Sequence, residues 1–143
     1  AGPLFDVMLL GIGSNAHIAS IFPDSPLLDR GREGSAPLSA ESSRSKTESG
    51  GDLSGPQGPL AIGLFVPEVS QWRITMTPAA LLDSATIVML ASGESKAEAI
   101  AGAIEGREDS GRYPAQLLRA AGDRVEWIID AAASARLRGV PPA

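Results

Sequence analysis

FDVMLLGIGSNAHIASIFP, residues 5–23, carries both the strongest strand signal of the chain and its most distinctive turn. Leu4 to Leu10 is a short, nearly continuous apolar run stopped by glycine, the pattern of a strand buried on both faces of a parallel sheet. It gives way to Gly11-Ile12-Gly13-Ser14-Asn15-Ala16 and then to His17, the one histidine of the chain. Read as G-x-G-x-x-A, the turn fits dinucleotide binding; read through its histidine, it fits a hydrolytic site. The dinucleotide fingerprint also needs a second strand ending in an acidic residue about 20 positions on. That region reads DSPLLDRGREGS, which is no strand, so the weight moves off a nucleotide and onto His17.

From Asp29 to about Leu60 the chain changes character. Serines from Ser35 to Ser54 alternate with glycine, proline and mixed charges, and little apolar surface offsets the entropy of ordering them. The expectation is a mobile insertion at about 30–60 within a single domain of residues 1–143. Order resumes with strands expected at Ala61–Val66 and Arg73–Thr77, the second carrying Ile74 and Met76 on one side and Arg73, Thr75 and Thr77 on the other. Pro78 suits the first turn of a helix through about Ser84. Thr86–Ala91 reads as another buried strand. After Ser92-Gly93-Glu94-Ser95-Lys96 comes a helix with Ala97, Ile100, Ala101 and Ile104 on its apolar face and Gly106 placed to end it. A short helix at Pro114–Ala121, a strand at Val125–Ile129 and a helix at Ala131–Leu137 complete the pattern. Strands alternating with helices imply an α/β fold, a Rossmann-like parallel sheet with flanking helices, with ligands expected at the carboxyl ends of the strands.

Composition narrows the function. The 143 residues, 43% of them apolar, suffice for one compact core. A formal charge of -5 speaks against a general nucleic-acid or anionic-membrane binder, because such surfaces need clustered lysine and arginine. The absence of cysteine excludes disulfides and thiolate chemistry, and a single histidine with no carboxylate cluster suggests no metal site. No apolar run reaches the roughly 18–20 residues of a membrane span, and the sequence opens without the basic flank of a signal peptide. A soluble, cytoplasmic protein is the default.

A histidine just after a glycine turn at a strand end can stand in a cleft, where an ordinary pKa of about 6.5 suits proton transfer near neutrality. Without context, a lone histidine is more often structural, and Asn15 alone is a turn former. Lys96 sits in the first turn of its helix, where exposed N–H groups and the helix dipole favour an anion. Taken alone it is an ordinary solvated charge. Arg73 stands beside Trp72, and its plain role is a surface cation stacked on that ring. Trp72 and Trp127 read as packing residues.

Together these pieces resemble the 6-phosphogluconolactonases, which are related in fold to glucosamine-6-phosphate deaminases. The family pattern runs G-x-G-x-D-G-H-x-A-S-L-F-P, R-I-T-L-T, T-G-E-x-K-A-E-A, P-A-x-L and W-L-V-D. This chain has GIGSNAHIASIFP, RITMT, SGESKAEAI, YPAQLL and WIIDAAASARL in the same order. The deaminases share GIG, HIA and a GENKAEA-like segment, but their histidine is followed by A-F-N-E-P.

The resemblance implies hydrolysis of 6-phospho-D-glucono-1,5-lactone to 6-phosphogluconate in the pentose phosphate pathway. His17 would be the catalytic histidine and general base. Gly11, Gly13, Ser14 and Asn15 would meet the reacting oxygen or the sugar hydroxyls, Lys96 the substrate phosphate, and Arg73 the phosphate or the carboxyl end. It implies no metal and no organic cofactor, and a small phosphosugar lactone as partner.

Two departures from the family pattern stand out. Asn15-Ala16 replaces Asp-Gly before the histidine, which removes a carboxylate and places alanine where the family has glycine. The family also carries a preceding half with a further glycine-rich phosphate loop. The expectation is therefore that this chain is the C-terminal part of a larger three-layer α/β/α domain, with its missing N-terminal half as a partner. A deaminase-like enzyme and a non-catalytic phosphosugar-binding fragment remain open as alternatives.

Overall fold

The computed structural model describes residues 2–28 and 58–139. Nearly all of the serine-rich insertion expected at about 30–60 lies outside the described residues. Strand β1 (Phe5–Gly11) pairs in parallel with β4 (Ser84–Ala91), and β4 pairs in parallel with β5 (Val125–Ile129). The order β1-β4-β5 makes one three-stranded parallel sheet.

One face of this sheet carries the core. Met8 stands opposite Ile87 and Leu10 opposite Met89, and all four are buried. They form one apolar cluster with Leu81 of helix α1 (Pro78–Leu82), with Ala99, Ile100 and Ala103 of helix α2 (Ala97–Ile104), and with Leu118 of the 3-10 segment Pro114–Arg124. The alternation of a strand sends Val7 and Leu9 to the other face. There they are 61% and 62% exposed, alongside exposed Leu90 and Ile128. The expectation that the first strand is buried on both faces is thus corrected: among the described residues it is an edge strand with one face covered, because every described helix in the cluster lies on the Met8 side.

A second departure concerns β2 (Ala61–Val66) and β3 (Gln71–Met76), which form an antiparallel pair outside the parallel sheet. The alternation expected in β3 is present, but its polar side is the covered one: Thr75 is 4% exposed and Ile74 83%. Hydrogen bonding explains the inversion. The Thr75 hydroxyl oxygen accepts the Ser20 N–H at 3.1 Å, and Thr77 caps α1 by accepting the Ala80 N–H at 3.3 Å. Helix α1 stops at Leu82, short of the expected Ser84, which already belongs to β4.

The expected last helix at Ala131–Leu137 is a series of turns. Polar side chains compete with the helical ladder there. Asp130 Oδ1 accepts the Ala133 N–H at 2.8 Å, and the Ser134 hydroxyl donates back to the Ala131 carbonyl at 3.1 Å. Because β1, β4 and β5 run parallel, the loops leaving their carboxyl ends gather at one edge of the sheet. These are the glycine-histidine turn, the Ser92–Lys96 turn and the Asp130 corner.

Candidate active site

The turn after β1 closes on itself. The Gly13 N–H donates to the His17 carbonyl and the Ala16 N–H to the Gly13 carbonyl, both at 2.9 Å. This geometry puts Ala16 in the left-handed region at φ 65°, fully buried. The conformation costs an L-residue of order 1–2 kcal/mol. It falls where the resembled pattern has glycine. Gly13 has a different constraint: a Cβ on it would overlap Nδ1 and Cε1 of His17. The glycine leaves room for an imidazole and needs no pyrophosphate to explain it.

His17 is half-buried, and its Nδ1 lies 2.6 Å from Asn15 Oδ1. The same oxygen accepts the His17 backbone N–H at 3.3 Å. A backbone N–H only donates, so the facing Asn15 atom is the carbonyl oxygen. That oxygen only accepts, so Nδ1 carries the proton and Nε2 keeps a lone pair. The ring of Phe22 stacks on the imidazole, with centroids 4.2 Å apart and planes 5° from parallel. Burial holds the His17 pKa below its ordinary 6.5, and the positive charges of Lys96 and Arg73 push it further the same way. The ring is therefore neutral and basic at Nε2 near pH 7.

Lys96 and Arg73 reach this histidine from separate elements. Lys96 ends the 3-10 turn Glu94–Lys96 and leads into α2. That turn starts at Gly93, whose φ of 90° favours glycine, and the Gly93 N–H is met by both Asp130 carboxylate oxygens at 3.1 Å. Asp130 thus ties the end of β5 to the lysine turn. Arg73 lies on the same side of β3 as Thr75, which holds Ser20 of the histidine segment. It does not stack on Trp72 as expected. Trp72 is 75% exposed and meets Phe65 edge-on at 6.0 Å, and the described cation lying over a ring is Arg112 on Tyr113. Of the two tryptophans read as packing residues, Trp72 packs against Phe65 on the antiparallel pair, and Trp127 packs against the core.

Gly11 is the last residue of β1, and Ser14 and Asn15 are exposed at the tip of the turn. Both border a cavity of about 520 Å³ whose lining also includes Glu98, Arg112 and Tyr113. The Gly13 N–H is already engaged by the His17 carbonyl and is not free to meet a ligand oxygen. Among the described residues no group of three or more histidine, aspartate or glutamate side chains could hold a metal ion.

The family of glucosamine-6-phosphate isomerases and 6-phosphogluconolactonases matches residues 1–49 and 54–127. The chain belongs to this family. The 6-phosphogluconolactonase of Bos taurus is 32% identical over 139 residues, which cover 97% of this chain and 43% of that protein. The glucosamine-6-phosphate deaminase of Shewanella loihica is 37% identical over 129 residues, 90% of this chain and 42% of the relative. Among solved structures, the 6-phosphogluconolactonase of Trypanosoma brucei superposes with a TM-score of 0.63 at 25% identity, over 93% of this chain and 42% of that one. The chain spans about two-fifths of the length of these relatives. Within the family frame, Phe22, Thr75 and Asp130 are the site-building residues that reading the sequence did not single out. Each lies inside a quoted motif, but its partner is far away in sequence or on the other side of a turn.

Proposed function

We propose that this chain carries the histidine half of a 6-phosphogluconolactonase site in the cytoplasm and acts together with polypeptide equivalent to the remaining length of its relatives. The observation carrying this reading is the His17 arrangement: Nδ1 held by Asn15, Nε2 left basic, and two cations near enough to depress its pKa. Nε2 takes a proton from water as the water oxygen bonds to the lactone carbonyl carbon. The tetrahedral intermediate collapses with cleavage of the bond from that carbon to the ring oxygen. The imidazolium returns the proton to that oxygen, leaving a hydroxyl and a carboxylic acid that ionises. Lys96 and Arg73 bind the phosphate and fix the lactone over His17. The bare sheet face of Val7, Leu9, Leu90 and Ile128 is the surface such additional polypeptide would cover, since a contiguous apolar patch favours a partner.

The test is hydrolysis of 6-phosphogluconolactone above the spontaneous rate by the chain, alone and combined with the remaining portion of a relative. No gain in either state sinks the reading. The 37% identity to a glucosamine-6-phosphate deaminase favours a second reading, which predicts ammonia release from glucosamine 6-phosphate. The ASIFP, RITMT and WIID segments favour the lactonase.

A further inference from the structure

His17 and Phe22 are neighbours because of a small hairpin. Ile18 and Ile21 form an isolated antiparallel bridge, the Ile21 N–H donates to the Ile18 carbonyl at 2.9 Å, and Ala19 turns the chain at φ 49°. In that register the next pair outward is His17 with Phe22. Both isoleucines are fully buried in the core, so the alternation sends His17 and Phe22 to the opposite side. The tip of the hairpin is held at Ser20 by the Thr75 hydroxyl. Phe22 is itself buried, yet it stands outside the apolar cluster that contains Ile18, Ile21 and Leu27. Its ring is spent on the imidazole, where a simple core filler would pack among the isoleucines.

We propose that Phe22 is a positioning residue for the reaction: its ring, stacked on His17 above the gap left by Gly13, locks the imidazole plane so that Nδ1 stays on Asn15 and Nε2 is the working nitrogen. A single hydrogen bond from Nδ1 leaves the imidazole free to swing about that bond, and a stacked ring removes this freedom. The cost of losing it falls on the chemical step, because a proton-transfer group displaced by a fraction of an ångström loses alignment with the attacking water. This rests on the reading of His17 as the base, but the decisive measurement needs no substrate.

Because His17 is the only histidine, its ring protons and nitrogens give unambiguous NMR signals in the intact chain. In the wild-type chain the His17 ring protons are expected upfield of their exposed positions, displaced by the Phe22 ring current, and the nitrogen shifts are expected to report one tautomer protonated at Nδ1. Phe22→Leu is expected to abolish the displacement and mix the tautomers, while Phe22→Tyr keeps both features. In the lactone assay Phe22→Leu lowers kcat by about tenfold with little change in KM, and Phe22→Tyr restores it. Undisplaced ring protons in the wild-type chain overturn the proposal whether or not any variant folds. So does a folded Phe22→Leu variant with the wild-type tautomer. Absence of lactone hydrolysis with the expected NMR signature would instead count against the proposed reaction and support the geometric role.

Discussion

The Nδ1 atom of His17 lies 2.6 Å from Asn15 Oδ1, a contact across one intervening residue that fixes which imidazole nitrogen is free. The oxygen is neutral, so it orients the ring without the charge that would favour imidazolium. Replacing Asn15 with Asp is predicted to raise the His17 pKa above its wild-type position, because a carboxylate stabilises the protonated ring. Nitrogen-detected titration of the single histidine reads this directly. An unchanged or lowered pKa would show that Asn15 does not bond the ring in solution.

Removing either cation moves the histidine in the same direction. Lys96→Gln and Arg73→Gln each take away a positive charge that opposes protonation, so the His17 pKa rises in both, while burial still holds it below 6.5. Under the proposed reading, in which Lys96 holds the phosphate, Lys96→Gln is also predicted to cost about 1.5–3 kcal/mol of binding in the lactone assay, or on the order of 10- to 100-fold in KM. A variant with wild-type KM would remove Lys96 from the phosphate site.

Gly13→Ala tests why the glycine is there. The new methyl meets the His17 ring, so the imidazole must leave its place. The predicted result is loss of the Nδ1 contact and a fall in kcat of about 100-fold, with the fold retained. Wild-type turnover in Gly13→Ala would mean the ring does not rest against this residue during the reaction.

Ala16 offers a test in stability. Ala16→Gly relieves left-handed strain of about 1–2 kcal/mol but gives up a buried methyl worth about 0.8 kcal/mol and gains chain entropy on unfolding, so the net change is within about 1 kcal/mol. Ala16→Val adds a β-branched side chain at φ 65° in a fully buried site and destabilises by about 2–4 kcal/mol. Denaturant midpoints at constant slope decide it, and a tolerated valine would contradict the turn.

The sign of the His17 shift also sets how stability responds to pH. A folded-state pKa below the unfolded value means that the unfolded chain binds more protons between the two. The contribution of His17 is therefore fully present above about pH 6.5 and is lost as pH falls through the lowered pKa. His17→Gln removes this dependence, and comparing denaturation of the two chains from pH 8 to pH 5 measures it.

Much of this fold is legible in the linear order of residues, for local reasons. The apolar run of β1, the TIVMLA strand, the Ala97–Ile104 face and Pro78 at a helix start all express period and capping within a few residues. What escaped was decided in one case by a partner distant in sequence and in the other by side chains competing for nearby backbone. Which side of β3 is covered depends on Thr75 meeting Ser20, 55 residues away, and the helix expected at Ala131–Leu137 yields to Asp130 and Ser134 bonding local backbone. His17, Lys96 and Arg73 are recognisable from their motifs, and the charges of the latter two do reach the histidine. The stacking of Phe22 had a signal: two apolar residues paired across a tight turn make their outer neighbours, His17 and Phe22, a pair as well.

His17, as proposed, is the base for opening a phosphosugar lactone. The most direct measurement is the rate of 6-phosphogluconolactone hydrolysis above the spontaneous background, for the chain combined with the remaining portion of a relative, comparing wild type with His17→Gln. A clear excess is expected for wild type, with a loss of about 100- to 10,000-fold in His17→Gln. Equal rates in the two combinations, or no excess in either, would contradict it.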